Sequence, residues 1–160
     1  MTEVTIQQAE TDADIAAARK IFREYEAWLG LDLCFQGFEE ELKNLPGKYS
    51  PPRGRLYLAG VDGVVAGCIA RRALEPLESN VCEMKRLFVR DEFRGMHIGK
   101  LLIERLIADA KEIGYDAMRL DTFPPKMGKA VSLYGSYGFR AIEPYYDNPN
   151  EGVLFMELDL

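Results

Sequence analysis

The residues best suited to chemistry lie in one short run, Phe93-Arg94-Gly95-Met96-His97-Ile98-Gly99-Lys100, directly before an apolar-periodic stretch from Ile98 to Ile113. Two glycines, flanking basic side chains and a helix start together make an anion site. The first amides of a helix have no intrahelical acceptor, and glycine lets backbone come close to an oxyanion. Three kinds of phosphate loop compete for this run. A nucleotide P-loop wants G-x-x-x-x-G-K-[ST]. Here Gly95 and Gly99 have one residue too few between them, and Leu101 stands where the magnesium-binding hydroxyl belongs. A dinucleotide fingerprint wants three glycines after the first strand of a βαβ unit, and only two are present. The third form is R/Q-x-x-G-x-G/A between a strand and a long helix, a pyrophosphate loop that Arg94, Gly99 and the helix fit.

The elements that must position this loop can be read from periodicity. Val4 to Ala9 predicts a first strand. Ile15, Ala18, Ile21, Phe22, Tyr25 and Leu29 recur at helical spacing after Thr11 and Asp12, and Gly30 stops the run. Phe38 to Leu45 predicts a second short helix. Asp62-Gly63 between two apolar runs predicts a hairpin, which "VCEMKRLFVR" extends to a three-strand meander. The glycine loop and the helix to Ile113 follow. Then come a strand at Ala117 to Thr122, a break at "FPPKMG", a helix at Lys129 to Tyr137, and two closing strands in "FRAIEPYY" and "VLFMELDL". With no repeat or composition shift, residues 1–160 read as a single domain. The order β-α-α-β-β-β-α-β-α-β-β predicts an α/β fold with a mixed sheet, antiparallel first and parallel later, and helices on both faces.

Composition narrows the classes. The net charge of −6 argues against nucleic-acid binding, which would need a basic face. Cys34, Cys68 and Cys82 form no C-x-x-C pair, so neither a disulfide framework nor a metal site is expected. No apolar run approaches a membrane span and no signal peptide is evident, so a cytoplasmic protein without membrane contact is expected.

The loop and a second stretch together carry a resemblance. "EMKRLFVRDEFRGMHIGKLLIERLI" and, downstream, "AVSLYGSYGFRAI" resemble the acetyl-CoA loop and the A-x-x-L-Y-x-x-x-G-F segment of the GCN5-related N-acetyltransferase (GNAT) superfamily, in order and over essentially the whole chain. Two positions depart from the family pattern: His97 replaces the first spaced glycine, and Met127 replaces an asparagine that often contacts the pantetheine arm. The resemblance implies a single acyl-CoA N-acyltransferase fold. It also implies acetyl-CoA as donor, no metal, and direct transfer to a primary amine of a small molecule, amino acid or peptide.

It further implies a site. Amides of Gly95, Met96, His97, Ile98, Gly99 and Lys100 would cradle the pyrophosphate, with charge from Arg94 and Lys100. The strand Leu87-Phe88-Val89 would offer backbone amides, Leu87 to the thioester oxygen and Val89 to the pantetheine arm. Tyr134 would protonate the leaving sulfur, with Tyr137 as fallback. Glu83, among apolar strand neighbours, would serve as base. His97 is the sole histidine, so Cys68 and Cys82 have no second histidine to form a Cys–His pair. Tyr25, Trp28, Phe35, Tyr145 and Tyr146, with Glu24, Glu26 and Asp32, would make an acidic aromatic acceptor pocket suited to a cation. Equally, Arg71, Arg72, Lys85 and Arg86 would suit a carboxylate. A binding module without transfer activity is the alternative, an O-acyltransferase or longer-acyl user stays open, and a homodimer is compatible with the sequence.

Overall fold

The computed structural model describes residues 3–31, 33, 37–74 and 80–160. Strand β1 (Val4–Gln8) leads into helix α1 (Asp12–Leu29). Thr11 caps α1: its hydroxyl accepts from the Asp14 amide at 3.1 Å while the Asp14 carboxylate accepts from the Thr11 amide at 3.2 Å. Gly30 ends the helix in the left-handed conformation at φ 74°. Helix α2 (Phe38–Lys43) and a 3₁₀ turn (Gly47–Tyr49) follow. The meander is β2 (Arg55–Val61), β3 (Val64–Ala73) and β4 (Val81–Val89). Its first hairpin turns on Asp62 and Gly63, both at positive φ (50° and 85°), as a two-residue turn matched to strand twist requires.

Helix α3 (Ile98–Ile113), β5 (Ala117–Thr122), α4 (Pro124–Ser136), β6 (Arg140–Ile142) and β7 (Leu154–Asp159) complete the chain. All strands join one sheet in the order β1-β2-β3-β4-β5-β7-β6. Only β4 and β5 pair in parallel, and β7 inserts antiparallel between β5 and β6. The mixed sheet is as expected, but the parallel part is smaller than the sequence suggested.

Each face of the sheet carries a core. Ile98, Leu102, Ile103, Leu106, Ile107 and Ala110 of α3 bury against one face, packing on Ile69, Met84 and Met118. Ala18, Ile21, Phe22 and Tyr25 of α1 bury against the other, with Phe38, Leu42, Leu58 and Phe88. Burying each of the larger side chains contributes about 1.5–3 kcal/mol, so both helices are fixed on the sheet.

Two element boundaries differ from expectation. Helix α4 starts at Pro124, within the predicted break. Prolines at the first two helical positions forfeit only amides that lack a helical partner anyway, so they open a helix rather than stop it. The irregularity falls instead at Met127, whose φ/ψ of −118°/29° kinks α4 one turn in. Strand β6 is only three residues long, and "EPYY" continues as loop.

Candidate active site

The β4–β5 ladder is short. Val81, Cys82 and Glu83 face Ala117, Met118 and Arg119, and pairing then stops. Beyond it both strands continue, β4 to Val89 and β5 to Thr122, so the sheet splits open between them. A cleft of about 620 Å³ occupies the split. Its walls are Met84 to Val89 of β4, Leu120 to Thr122 of β5, Tyr25, Trp28 and Leu29 of α1, and the first part of α4 through Tyr134.

The free edge of β4 follows from alternation. The Arg90 amide donates to Ala66 O of β3 at 2.8 Å, so the amides two apart point to β3 and those between point away. Leu87 and Val89 therefore present their amides to the split, and no strand pairs with β4 there.

A bulge shapes the same wall. Three steps of β4, Lys85 to Phe88, match two steps of β3, Ala70 to Cys68. Arg86 sits in the left-handed region at φ 62°. Lys85 and Arg86, both within the bulge, line the cleft. Gly67 lies beneath the bulge. A Cβ there would stand 2.8 Å from Phe88 O, so only glycine lets β3 approach this closely.

The glycine loop closes one end. Gly95 has φ 90°, His97 has φ 61° and caps α3 with backbone alone, and Gly99 lines the cleft. His97 thus adopts the conformation for which the family pattern supplies glycine. Its ring is exposed and far from a role as base. Arg94 lines the cleft, donates from Nε to Val89 O at 3.1 Å, pairs with Asp91 at 2.7 Å and lies 5.0 Å over the Trp28 ring. Met96 packs against the α3-side core, Ile98 is buried in it, and Lys100 is exposed on the first turn.

Tyr134 reaches the cleft from α4, 4% exposed, with its ring 5.6 Å from Phe139. Burial, then the nearby Tyr25 and the Asp121 carboxylate, push its hydroxyl pKa upward, so it keeps its proton. Tyr137 points elsewhere, donating to Glu104 of α3 at 3.1 Å. Met127, also on the wall, accepts a contact from the Thr122 hydroxyl at 3.2 Å.

Glu83 lies at the end of the β4–β5 ladder, 1% exposed and set back from the cleft walls. Arg72 Nε donates to it at 2.9 Å, the Tyr145 hydroxyl at 2.6 Å, and Lys85 Nζ lies 3.9 Å away. The carboxylate that lines the cleft is Asp121, which the sequence reading did not single out. Its Oδ1 is 3.6 Å from Lys85 Nζ, and Tyr146 donates to its other oxygen. Burial alone would raise its pKa, but Lys85 and the Tyr146 hydrogen bond prevail and hold it below the usual carboxylate range. The signal that could have found it was a lone acid inside the apolar strand "AMRLDT".

Other expected groups scatter. Glu24 pairs with Arg90, and Arg71 turns to the opposite face, donating to Leu106 O of α3 at 3.1 Å. Asp32, Cys34 and Phe35 lie outside the described residues. Cys68 and Cys82 are buried free thiols. Burial raises both pKa values, that of Cys82 to about 12, which disfavours a thiolate. Among the described residues no acidic, histidine or cysteine cluster could hold a metal ion, and no helix is long and apolar enough to cross a membrane.

Comparison with known proteins places this geometry among relatives. Residues 15–139 match the model of the acetyltransferase (GNAT) family. An uncharacterised N-acetyltransferase of Schizosaccharomyces pombe is 37% identical, over 99% of this chain and 96% of that protein. The crystal structure of a GNAT-family acetyltransferase from Staphylococcus aureus superposes with a TM-score of 0.79, at 21% identity over 98% of this chain and 99% of that one. An acetyltransferase of Salmonella typhimurium solved with its cofactor acetyl-CoA superposes at 0.66, with 21% identity over 98% and 93% of the two chains.

Proposed function

The chain belongs to the GNAT acetyltransferase family, and from that premise we propose that it moves the acetyl group of acetyl-CoA to a primary amine by direct transfer in a ternary complex. The observation that carries the reading is the split between β4 and β5, where the Leu87 and Val89 amides face a cleft with Tyr134 on its far wall. The residues present fit the donor. The unpaired β4 edge suits an extended amide-bearing arm, and the turn Gly95 to Lys100 at the α3 N-terminus suits a pyrophosphate. The Salmonella relative holds acetyl-CoA, in keeping with this fit.

When bound, acetyl-CoA supplies an activated acetyl thioester. In this reading the Val89 amide anchors the arm, the loop amides with Arg94 and Lys100 hold the phosphates, and Phe88 packs its ring toward Tyr25 and Trp28. The Leu87 amide faces the negative charge that develops on the thioester oxygen. Tyr134 donates its proton to the departing sulfur, and its raised pKa keeps that proton available at neutral pH. The amine sheds its proton toward the charged inner end of the cleft. Asp121 stands on the wall there and Glu83 behind it, both within 4 Å of Lys85 Nζ. Glu83 acts as base at one remove: Lys85 Nζ gives a proton to Glu83 as it takes one from the amine, which restores the ammonium.

Direct transfer, rather than an acetyl-enzyme, is supported by the buried thiols of Cys68 and Cys82, whose pKa values burial raises. Of the two departures from the family pattern, His97 keeps the glycine-like backbone, so no observation favours a binding-only module. A thermal-shift series with acetyl-CoA, CoA, ATP and NAD tests the donor. A ligand at a hundred times its dissociation constant adds about 2.7 kcal/mol, and the shift should appear with the CoA compounds alone. Thiol release with an amine panel then tests transfer.

A further inference from the structure

Three carboxylates stand at the inner end of the cleft, and they differ in how fully they are engaged. Glu83 has both oxygens taken, Oε1 by Arg72 at 2.9 Å and Oε2 by the Tyr145 hydroxyl at 2.6 Å. Glu41 has both taken by the fork of Arg86, in two bonds of 2.9 Å, and Lys48 reaches it at 3.3 Å. Neither lines the cleft. Asp121 does, with 13% of its side chain open. Its Oδ2 accepts from Tyr146. Lys85 Nζ lies 3.6 Å from its Oδ1, too far for a hydrogen bond, and among the described residues no side chain donates to that oxygen. A carboxylate offers about four lone-pair sites, so Asp121 keeps acceptor capacity where it meets the cleft.

The loop between β6 and β7 fixes this arrangement. The Tyr146 ring packs 5.2 Å from Phe155 of β7 and 5.5 Å from Tyr145. Its oxygen accepts from Asn148 Nδ2 at 2.9 Å, and Asn148 Oδ1 in turn accepts from the Asn150 amide at 2.9 Å. A run of hydrogen bonds thus ties Oδ2 of Asp121 to the loop and leaves Oδ1 over. The carboxylate is ionised, since Lys85 and Tyr146 hold its pKa below the usual range against burial. Around it Leu120, Thr122, Asn148, Asn150 and Val153 share the wall and are uncharged. Glu24 and Glu26, the acids expected to attract a cation, do not line the cleft, and Glu24 is held by Arg90. An ionised oxygen with spare capacity complements a cationic N–H donor, and an ammonium brings such donors on a compact charge.

Resting on the transfer reading, we infer that Asp121 binds the acceptor, taking its amine as an ammonium through Oδ1, and that Tyr146 positions Asp121 by holding Oδ2. The acceptor class is a primary amine that arrives as a cation and needs no second charge. Bound there, its nitrogen lies beside Lys85 Nζ, the group through which its proton leaves. Attraction to Asp121 favours capture of the charged form, and repulsion from Lys85 favours release of the proton, so adjacent groups carry binding and deprotonation.

The test is thiol release from acetyl-CoA with the whole protein, first across a panel of alkylamines and amino-acid amides. For the best amine, its N,N-dimethyl analogue and its alcohol analogue then serve as inhibitors, the first keeping the charge and the second lacking it. The expected inhibition constant is about tenfold or more lower for the dimethylammonium, because a carboxylate left unanswered penalises the neutral analogue. Asp121→Asn should raise the acceptor KM by about tenfold and erase that gap, with the acetyl-CoA thermal shift retained as evidence of folding. Tyr146→Phe keeps the ring packing and should raise the acceptor KM about threefold, with kcat and the acetyl-CoA KM within about twofold, a split that a loss of folding would not produce. An alcohol that inhibits as well as the ammonium, or an Asp121→Asn acceptor KM within about twofold of wild type, overturns the inference and leaves the transfer reading standing. No amine-dependent thiol release from any member of the panel overturns both. The inhibitor comparison needs no variant, so an Asp121→Asn protein that fails to fold leaves the proposal exposed to refutation.

Discussion

In the proposed transfer, Tyr134 is the side chain whose role is most directly tested. If its hydroxyl protonates the leaving sulfur, Tyr134→Phe should lower kcat about a hundredfold while the acetyl-CoA thermal shift stays, since the ring packing on Phe139 is kept. A rate within twofold of wild type would remove Tyr134 from the mechanism. Because its pKa is pushed upward, the wild-type rate should show no alkaline loss attributable to this group in the neutral range. His97 makes a second residue-scale prediction. A histidine at φ 61° carries a conformational cost that glycine lacks, so His97→Gly should preserve acetyl-CoA binding and change stability by no more than about 1 kcal/mol, measured by urea unfolding. The place of Tyr134 on the cleft wall was legible through the family resemblance carried by "LYGSYGF". Asp121 was not, because nothing in "LDT" says which edge of a strand has lost its neighbour.

At the scale of elements, the site is made by two irregularities of β4: the early end of its ladder with β5 and the bulge at Arg86. Gly67 accommodates the bulge from β3. Gly67→Ala would drive a methyl into Phe88 O at 2.8 Å and should cost about 1–3 kcal/mol. Since Phe88 lies between Leu87 and Val89, the same variant should weaken acetyl-CoA binding, a pairing of effects that calorimetry and urea titration can check together. The helices α1 and α3 were legible from apolar spacing, and the first hairpin from Asp62-Gly63. The bulge was not, since arginine gives no sign of a left-handed backbone. Nor was the insertion of β7 between β5 and β6, which depends on distant pairing. The start of α4 was misread because prolines at "FPPK" look like a stop when they are a beginning.

For the whole molecule, the buried ion pairs tie stability to pH. Glu41 is held below its usual pKa: burial would raise it, but Arg86 and Lys48 outweigh burial. Asp121 is depressed in the same sense. A group that binds its proton less readily when folded contributes stability above its unfolded pKa and loses it as pH falls through the folded value. The melting temperature should therefore hold steady from about pH 6 to 8 and decline below about pH 4–5. Glu41→Gln should cost about 3 kcal/mol at neutral pH, by leaving Arg86 buried without its carboxylate, and should flatten the acid decline.

The split sheet has a consequence in time as well as in space. Sheet amides exchange with solvent slowly when a neighbouring strand holds them, and Leu87 and Val89 have no such neighbour, whereas the Phe88 amide faces β3. A donor lying along β4 would act as a removable strand. Deuterium uptake at Leu87 and Val89 should slow sharply when acetyl-CoA is added and recover when it is washed out, with Phe88 unchanged throughout. The protein would then finish folding its sheet once per catalytic cycle, and the residence time of the donor would be written in the exchange of two amides.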